Sequence, residues 1–357
     1  MNKKLIIIAA GASIVLPGIA NAAQVAGDAL EIYGKAHISL DSVSAKDSAG
    51  KDISNLSLSS NSSRLGFKGK APVGTMTGFY KIEGSISFAN SGGTIDHRAA
   101  YAGLSGDMGS ILLGYRDTPF KDIRGKFDLF GDTVGDARNI IGSIGGNIFD
   151  KRAKNAIMYT TPKSAVQANI MYSTAWQGDT TAQAGQDNNN NSLISANVLY
   201  KADALSLAAG MEKQKHVDTT TGDTTHTSTA TRLVGTYNMG DMRVGLIYEN
   251  LDDDKSDSLK RSAYGANFAM KTGAAGKIKV QYIQAGDTKA ISNSGATEIA
   301  VGYDYKLDKI SSTYVAYSSV SNDTNSAYVM GNGHDQKYTT AMGKNVSALS
   351  AGYIIKF

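Results

Sequence analysis

The chain of 357 residues contains no cysteine and only 4 prolines, and its formal charge of +4 is close to neutral. Without cysteine no disulfide can brace the fold, so rigidity must come from a large core or from a closed hydrogen-bonded framework. The small net charge gives no argument for a nucleic-acid partner, and none is expected. What the chain has in abundance is glycine, at 39, and tyrosine, at 18, which is typical of β-rich chains with aromatic residues at an interface.

Long apolar runs are also missing after residue 22, which excludes helical membrane spans, because such a helix needs about 20 apolar residues. The first 22 residues read differently. Two lysines precede an apolar stretch over 5–16, and Ala20-Asn21-Ala22 has the small-x-small pattern of a cleavage site. We therefore predict a signal peptide over 1–22 and an exported chain over 23–357.

Apolar residues at every second position are the main positive signal. In the last eleven residues, "SALSAGYIIKF", the apolar Leu349, Tyr353 and Phe357 share one face of a strand, with Ser350 on the other. About sixteen such segments follow one another, each near the ten residues of a tilted membrane strand, and short and long connections alternate between them.

This pattern predicts an all-β fold: a transmembrane antiparallel β-barrel of about 16 strands, with short periplasmic turns and long extracellular loops. Because the face opposite the apolar one is polar and charged, it should line water. A soluble β-sandwich is the alternative, but its buried face would carry larger residues than the many Ala and Gly seen here. A closed barrel also leaves no strand edge unpaired.

Five segments carry a resemblance to a known family. They are "SSRLGFKGK" (62–70), "HRAAYAGLSGDMGSILLGYRDTPFKD" (97–122), "FDLFGDTVGDARN" (127–139), "NAIMYTTP" (155–162) and the terminal "GYIIKF". In this order, and over the whole of 23–357, the chain resembles the Gram-negative general porins. The resemblance implies an outer-membrane channel for passive diffusion of ions and small hydrophilic solutes. It also implies a homotrimer in contact with outer-membrane lipid and lipopolysaccharide.

A long connection over about 117–151 exceeds what two strands need to be joined, and such length usually means function or disorder. Its apolar content argues against disorder. By resemblance, the third long loop of the barrel folds into the lumen, so we identify this segment as the constriction loop. We expect Asp128, Asp132 and Asp136 to point into the pore.

The family also places basic side chains on the barrel wall opposite that loop. Arg64 and Lys68 alternate with the apolar Leu65 and Phe67, so they should face water. Arg98 is assigned to the lumen because it is out of phase with Tyr101, and Arg152 because it is out of phase with Ile157 and Tyr159. Arg116 shares this phase at a strand end. The predicted basic wall is therefore Arg64, Lys68, Arg98, Arg116 and Arg152.

The last strand must pair with the first to close a barrel. By resemblance, Tyr353 and Phe357 form the signal that the barrel assembly machinery reads.

No chemistry of an enzyme is expected, because the sequence has no nucleophile elbow, phosphate loop or zinc-protease motif. His216 and His226 lie ten residues apart, which fits no zinc spacing, and the acidic run at 252–257 lacks the glycine of a calcium loop. No metal or cofactor is therefore expected. A solute-specific channel, a barrel enzyme and a purely structural barrel stay open as alternatives to a general channel.

Overall fold

The computed structural model describes residues 23–24, 28–89, 95–144, 146–177, 191–217, 224–334 and 336–357. The predicted signal peptide lies outside these residues. Among them, no helix is both long and apolar enough to cross a membrane.

The described residues form one closed barrel of sixteen antiparallel strands, as predicted. The second strand has two segments, β2a and β2b, because residues 61–63 interrupt its pairing. The strands are β1 (Glu31–Lys46), β2a (Asp52–Ser60), β2b (Arg64–Val73), β3 (Met76–Ser85), β4 (Asp96–Gly106), β5 (Gly109–Asp117), β6 (Arg152–Thr160), β7 (Val166–Ser173), β8 (Leu193–Ala202), β9 (Leu205–Val217), β10 (Thr224–Met239), β11 (Met242–Asp253), β12 (Arg261–Thr272), β13 (Gly276–Ala285), β14 (Ala296–Lys306), β15 (Ser311–Asn322) and β16 (Val346–Lys356).

The barrel closes where β16 pairs with β1, in register from Lys35↔Lys356 to Ser44↔Ser347. Phe357 extends this pairing, because its carbonyl oxygen accepts a hydrogen bond from the amide of Gly34 at 2.7 Å. Closure gives the backbone N–H and C=O groups of the first and last strands hydrogen-bond partners. A membrane protein requires this because lipid offers no such partners.

Side chains alternate between the two faces of the wall as the sequence pattern predicts. On the outer face Leu349 is 52 % exposed and Tyr353 is 41 % exposed, whereas Ser350, between them on the inner face, is fully buried. Phe357 is also exposed on the outside. The apolar band thus faces outward, where lipid can cover it.

The two rims of the barrel differ. Turns of two to five residues join the strands at one rim, and at the tightest of them Gly74 (φ 60°) and Gly240 (φ 59°) take a left-handed backbone that glycine adopts without strain. The other rim carries the longer loops, of which 118–151 and 323–345 matter most here. We call these loop 3 and loop 8.

Loop 3 folds into the lumen. It begins with the short helix α1 (Pro119–Arg124), whose first turn is capped by the Thr118 hydroxyl, and includes a 3₁₀ turn (Ala137–Asn139) and a small hairpin (Ser143–Ile144 with Asn147–Ile148). Its apolar side chains are removed from water: Phe120, Ile123, Phe127, Phe130, Val134 and Phe149 have no exposed surface.

Small residues on the inner face of β9–β15 make room for these side chains. Phe127 and Phe130 share an apolar cluster with Ala263, Ala300 and other wall residues. A Cβ atom at Gly302 would lie only 2.9 Å from the Phe130 ring. Some of the many Ala and Gly residues noted in the sequence therefore form the surface against which loop 3 packs.

Candidate functional site

A cluster of charged side chains occupies the inner wall of β1–β4, and we call it the Glu83 cluster. Glu83, on β3, alternates with the outward Ile82 and is 6 % exposed. Its carboxylate accepts hydrogen bonds from Arg98 Nε at 3.0 Å and from the Tyr33 hydroxyl at 2.8 Å. Lys81 Nζ lies 3.1 Å and Arg64 Nε 3.9 Å from the same carboxylate. One acid thus holds three bases on one wall.

Loop 3 reaches this wall through Asp132. Its Oδ2 accepts a hydrogen bond from Lys35 Nζ of β1 at 2.9 Å, and its Oδ1 accepts one from Arg138 Nη2 at 3.0 Å. Burial alone would raise the pKa of Asp132, but Lys35 and Arg138 outweigh it and hold that pKa well below its ordinary value. An ion pair therefore joins the loop to the charged wall. We call the opening bounded by this ion pair and the Glu83 cluster the constriction.

The other two predicted aspartates do not face the lumen, which corrects the expectation from sequence. The Asp128 side chain is 1 % exposed and accepts hydrogen bonds from Arg124 Nη1 at 2.5 Å and the Phe130 amide at 3.0 Å. Asp136 is fully buried and caps the 3₁₀ turn by accepting from the Arg138 amide and side chain. Both carboxylates satisfy loop backbone and arginines, so they shape the loop.

Their pKa values diverge because their surroundings differ. For Asp128, burial and the neighbouring Asp136 outweigh Arg124 and raise the pKa to about 6. For Asp136, burial acts in the same direction, but Arg138 and Arg124 outweigh it and lower the pKa to about 2.

Arg64 and Arg98 both lie in the Glu83 cluster, but the phase argument for Arg98 needs correction. Tyr101 faces the lumen, where it packs against a buried apolar cluster and lies under the Arg116 guanidinium. Counted back from Tyr101, Arg98 would point outward. A bulge opposite Glu83 inserts one residue in β4 and returns the Arg98 side chain to the inner face.

A second bulge changes the position of Arg152. One extra residue lies between Ala153 and Ala156, with Asn155 at φ 49°. Ala153, not Arg152, is therefore the residue buried in the lumen-side apolar cluster. Arg152 stands opposite Asp117, its Nε 3.2 Å from that carboxylate. A plain count from the outward Ile157 predicts that Arg152 faces the lumen. The bulge reverses the alternation between them, so that prediction is wrong.

Arg116 and Lys68 lie at the margins of the constriction. Arg116 Nη2 donates to Asp122 at the start of loop 3 at 2.6 Å. Lys68 Nζ pairs with Glu31 at 2.8 Å and lies 5.2 Å from the centre of the Tyr33 ring, which separates it from Glu83. Each is neutralised by its own carboxylate.

Four members of the constriction were not selected from sequence: Lys35, Lys81, Glu83 and, in loop 3, Arg138. The alternation that places Lys81 and Glu83 opposite Ile82 was visible, so their inward direction could be read. What sequence could not supply was that Lys35 meets Asp132, since 97 positions separate them.

Buried charges on the opposite wall hold loop 3 in place. Arg232, on β10, is fully buried; its Nη1 donates to Asp150 at 2.7 Å, its Nε donates to Glu249 at 3.0 Å, and its guanidinium lies 4.1 Å from the centre of the Phe120 ring. The positive charge of Arg232 is therefore compensated by two carboxylates, which a buried charge requires.

Hydrogen bonds to loop carbonyls continue along the same wall. Arg261 Nη2 donates to the carbonyls of Ile140 at 2.6 Å and Ser143 at 2.8 Å. Lys279 Nζ donates to the carbonyl of Leu129 at 3.0 Å. Basic residues here serve the loop backbone, whereas those on β1–β4 face the opening.

Loop 8 closes over loop 3 from the outer side. The Asn139 side-chain oxygen accepts from the Gly331 amide at 3.0 Å, and Asn332 Nδ2 donates to the Arg138 carbonyl at 3.0 Å. The Tyr338 hydroxyl donates to Asp41 of β1 at 2.8 Å. Loop 8 thus connects the tip of loop 3 to the barrel wall.

The charges at the constriction do not balance. Among the described residues that meet there, the bases are Lys35, Arg64, Lys81, Arg98 and Arg138, and the acids are Glu83 and Asp132. Asp136, buried behind the opening, pairs with Arg138, so three acids still face five bases. The opening is therefore electropositive, and a positive lumen wall raises the local concentration of anions.

Comparison with known proteins supports a channel. A family model described as Gram-negative porin matches residues 8–325. The outer membrane porin protein 32 of Delftia acidovorans is 28 % identical over 326 residues, which are 88 % of each chain. A monosaccharide porin of a Halomonas species is 26 % identical over 291 residues, 76 % of this chain and 77 % of that one.

Solved structures share the fold. An anion-selective porin from Comamonas acidovorans superposes with a TM-score of 0.78 at 23 % identity, covering 92 % of this chain and 99 % of that one. The outer-membrane protein OmpT of Vibrio cholerae superposes with a TM-score of 0.68 at 16 % identity, covering 94 % and 100 %.

Proposed function

Because this chain belongs to the Gram-negative porin family and forms an outer-membrane channel for passive diffusion of solutes, we propose that its constriction favours small anions over cations. The observation that carries the proposal is the excess of basic side chains around Glu83 and Asp132. The similar porin from Comamonas acidovorans is described as anion-selective, which supports the same direction of preference.

The physical basis is the short range of the interaction. At 0.1 M salt, charges are screened beyond about 10 Å, so only groups at the narrowest part of a lumen act strongly on a passing ion. Arg64, Lys81 and Arg98 are held there by one carboxylate. An anion therefore meets a fixed positive surface, and a cation meets repulsion that Asp132 and Glu83 offset in part.

The test is the reversal potential of single channels in a planar bilayer with a KCl gradient. We expect the wild-type protein to prefer chloride, and Arg64→Gln and Arg98→Gln each to move the potential toward potassium. One charge at about 4 Å contributes about 1 kcal/mol in water, with opposite sign for chloride and potassium. Each substitution should therefore change the permeability of each ion about fivefold and their ratio by up to about thirtyfold, less where salt screens the charge.

Lys271→Gln is the matched control, because that lysine lies at the short-turn rim, where it pairs with Asp241. Its reversal potential should equal that of the wild type. A wild-type preference for potassium, or equal shifts from Lys271→Gln and Arg64→Gln, would refute the proposed role of the Glu83 cluster.

The proposed assembly is a homotrimer embedded in outer-membrane lipid and lipopolysaccharide. A trimer form among the solved structures of similar fold supports it. Native mass spectrometry of protein extracted in mild detergent should give three copies, and channel recordings should show closures in groups of three. A uniform monomer in both measurements would contradict this assembly.

The proposal extends to the terminal strand, whose exposed Tyr353 and Phe357 would be read by the barrel assembly machinery. Phe357→Ala should lower the amount of folded protein in the outer membrane of cells. A control at another exposed aromatic residue, Tyr303→Ala, should not. Equal amounts of all three proteins would argue against the signal.

The channel is also proposed to be without catalytic activity, since it belongs to a family of channels. Purified protein that conducts but hydrolyses neither phospholipid nor peptide substrates is the expected result. Hydrolysis that copurifies with the conducting protein would contradict it.

A further inference from the structure

Two histidines and an aspartate meet on the inner wall near the loop rim. His216 of β9 is the direct cross-strand partner of His226 of β10, and their rings stack with centroids 4.1 Å apart and an angle of 7° between planes. Asp253, at the end of β11, is the cross-strand partner of Ser228. Strand pairing, which the spacing of ten residues does not reveal, brings the two histidines together.

The distances suit a bound metal ion, although one of the two parallel histidine rings must rotate, because an imidazole nitrogen binds a metal in the plane of its ring. One potential ligand atom from each of the three residues lies within 4.8 Å of the other two. His226 Nε2 is 3.6 Å from Asp253 Oδ2, which is too long for a hydrogen bond. Ligands at about 2.1 Å from a tetrahedral zinc ion are roughly 3.4 Å apart. The separation between these two atoms is therefore close to what one ion would require.

Neighbouring side chains orient the candidate ligands. The Thr225 hydroxyl is 2.9 Å from His226 Nδ1, which leaves Nε2 directed toward Asp253. The Ser228 hydroxyl donates to Asp253 Oδ2 at 2.5 Å, and Asn147 Nδ2 of loop 3 donates to the same oxygen. Such second contacts fix the direction of ligands in metal sites.

We propose that His216, His226 and Asp253 bind a divalent transition metal ion such as Zn²⁺, with water at the fourth position. Two imidazoles and one carboxylate suit Zn²⁺, Ni²⁺ or Cu²⁺, whereas Mg²⁺ and Ca²⁺ prefer oxygen ligands alone. The site lies near the ends of β9 and β11 at the loop rim, on the outer side of the constriction. It requires no particular ion preference of the channel.

A hydrolytic triad is a poor description of the same residues. His216 Nε2 lies 2.8 Å from the Ser228 hydroxyl, as a general base would. In a triad, however, the carboxylate binds the other nitrogen of the histidine. Here Asp253 accepts from the serine hydroxyl itself, so the serine proton is directed to the aspartate.

A bound ion would also involve loop 3. Asn147 belongs to the loop hairpin, and its amide group bonds to both Asp253 and, at 3.4 Å, the Ser228 hydroxyl. Metal binding would fix Asp253 more firmly and with it the hairpin that follows the constriction. The site therefore connects the composition of the outside medium to the order of the loop.

Isothermal titration calorimetry of the full-length, untagged protein in detergent with Zn²⁺ tests the proposal. We expect one equivalent per chain for the wild type. His226→Ala and Asp253→Asn should each weaken binding by about 100-fold or more, and Asn147→Ala, which removes only an orienting contact, by about tenfold. Mg²⁺ should give no saturable binding. His97→Ala, which removes a histidine far along the chain on β4, should bind like the wild type.

Channel conductance in the presence of a chelator establishes that each variant is folded. Anomalous diffraction from wild-type crystals soaked in Zn²⁺ gives a readout that needs no variant: the ion should lie between His226 Nε2 and Asp253. Absence of saturable zinc binding, an ion located elsewhere, or equal affinity in the wild type and His226→Ala would overturn the proposal.

Discussion

Asp132 shows how a single side chain can have a role that its neighbours of the same type lack. It stands at the turn of loop 3, with φ 62°, and its carboxylate is shared between Lys35 on the wall and Arg138 in the loop. Asp128 and Asp136 instead accept hydrogen bonds from backbone amides of the loop and pair with its arginines. Of these three carboxylates, Asp132 alone pairs with a basic residue on the inner wall of β1–β4.

Asp132→Asn should therefore increase the preference for anions, because it removes a negative charge and frees Lys35 to face the lumen. We expect the permeability ratio of chloride to potassium to rise by up to about thirtyfold, because the lost charge changes the permeability of each ion about fivefold and in opposite directions. The measurement is the reversal potential in a KCl gradient. Asp241→Asn, a carboxylate at the opposite rim, is the control and should leave the ratio unchanged.

The depressed pKa of Asp132 makes a prediction about pH. A carboxylate whose pKa is lowered in the folded state contributes stability above its ordinary pKa, and loses it only as pH falls through the lowered value. The Lys35–Asp132 pair should thus persist from pH 8 to pH 5, with constant ion preference. A change centred near pH 6 would instead point to Asp128 or Asp122, the two loop 3 carboxyl groups whose pKa burial raises to about 6.

At the scale of elements, loop 3 is held by its anchors on the far wall rather than by its contact with β1. Arg232 is the most deeply buried of these anchors and bridges Asp150 of the loop to Glu249 of β11. A buried arginine with two acidic partners is costly to remove, because each carboxylate is left in a poor environment.

Arg232→Met should release the loop. Asp150 keeps Arg124 at 2.7 Å and Glu249 keeps the Gly142 amide at 2.9 Å, but both lose their shared buried cation. Breaking a buried ion pair by removing one partner costs about 3–5 kcal/mol, which favours a detached loop over an intact one. We expect faster proteolysis within 118–151 and noisier channel currents, with the barrel still resistant to protease. Lys271→Met controls for loss of a surface cation. An unchanged cleavage rate in Arg232→Met would show that the apolar contacts of the loop suffice.

Sequence alone could predict the strands and could not predict their irregularities. Alternation identifies a strand because burial differs between faces, and it predicted the outward Tyr353 and inward Arg64 in this way. A bulge adds one residue without marking composition, and it reverses the phase on one side of it. For this reason counting from Tyr101 gives the wrong face for Arg98 once Tyr101 is known to point inward, and only the bulge in β4 brings Arg98 to the lumen. Counting from Ile157 likewise gives the wrong face for Arg152, because a bulge lies between them.

The presence of a loop in the lumen could be predicted from the sequence, but the residues with which its charged side chains pair could not. The length and apolar content of about 117–151 indicated a functional loop rather than a disordered one, and the resemblance to the family implied that it folds inward. Which aspartates cap backbone and which face water depends on local turns whose hydrogen bonds are not encoded in spacing. The pair of His216 and His226 illustrates the same limit, since cross-strand register decides it.

At the scale of the whole molecule, the outer face must meet lipid along its full height. On β11, Met242, Val244 and Leu246 all point outward, from the turn rim toward the middle of the wall. Leu246 is 65 % exposed and Met242 is 40 % exposed. The same face of the same strand thus offers two depths for comparison.

Leu246→Arg should destabilise the folded barrel by about 2–4 kcal/mol, whereas Met242→Arg, near the interface, should cost only about 0–1 kcal/mol. Both variants carry the same new charge on the same strand face, so each is a control for the other. Reversible unfolding by denaturant in lipid vesicles gives the free energy of each. Equal costs at the two positions would contradict the assigned orientation of β11 in the membrane.

The two walls of the lumen divide their tasks: β1–β4 present charge to the opening, and β9–β15 hold loop 3 through buried arginines and small residues. This division affects how such a channel can adapt. If the Glu83 cluster sets ion preference as proposed, substitutions at Lys81 or Arg98 change which solutes pass while the anchors of the loop stay intact. A lineage facing a new nutrient could therefore retune uptake by single changes on one wall, without first having to restabilise the protein.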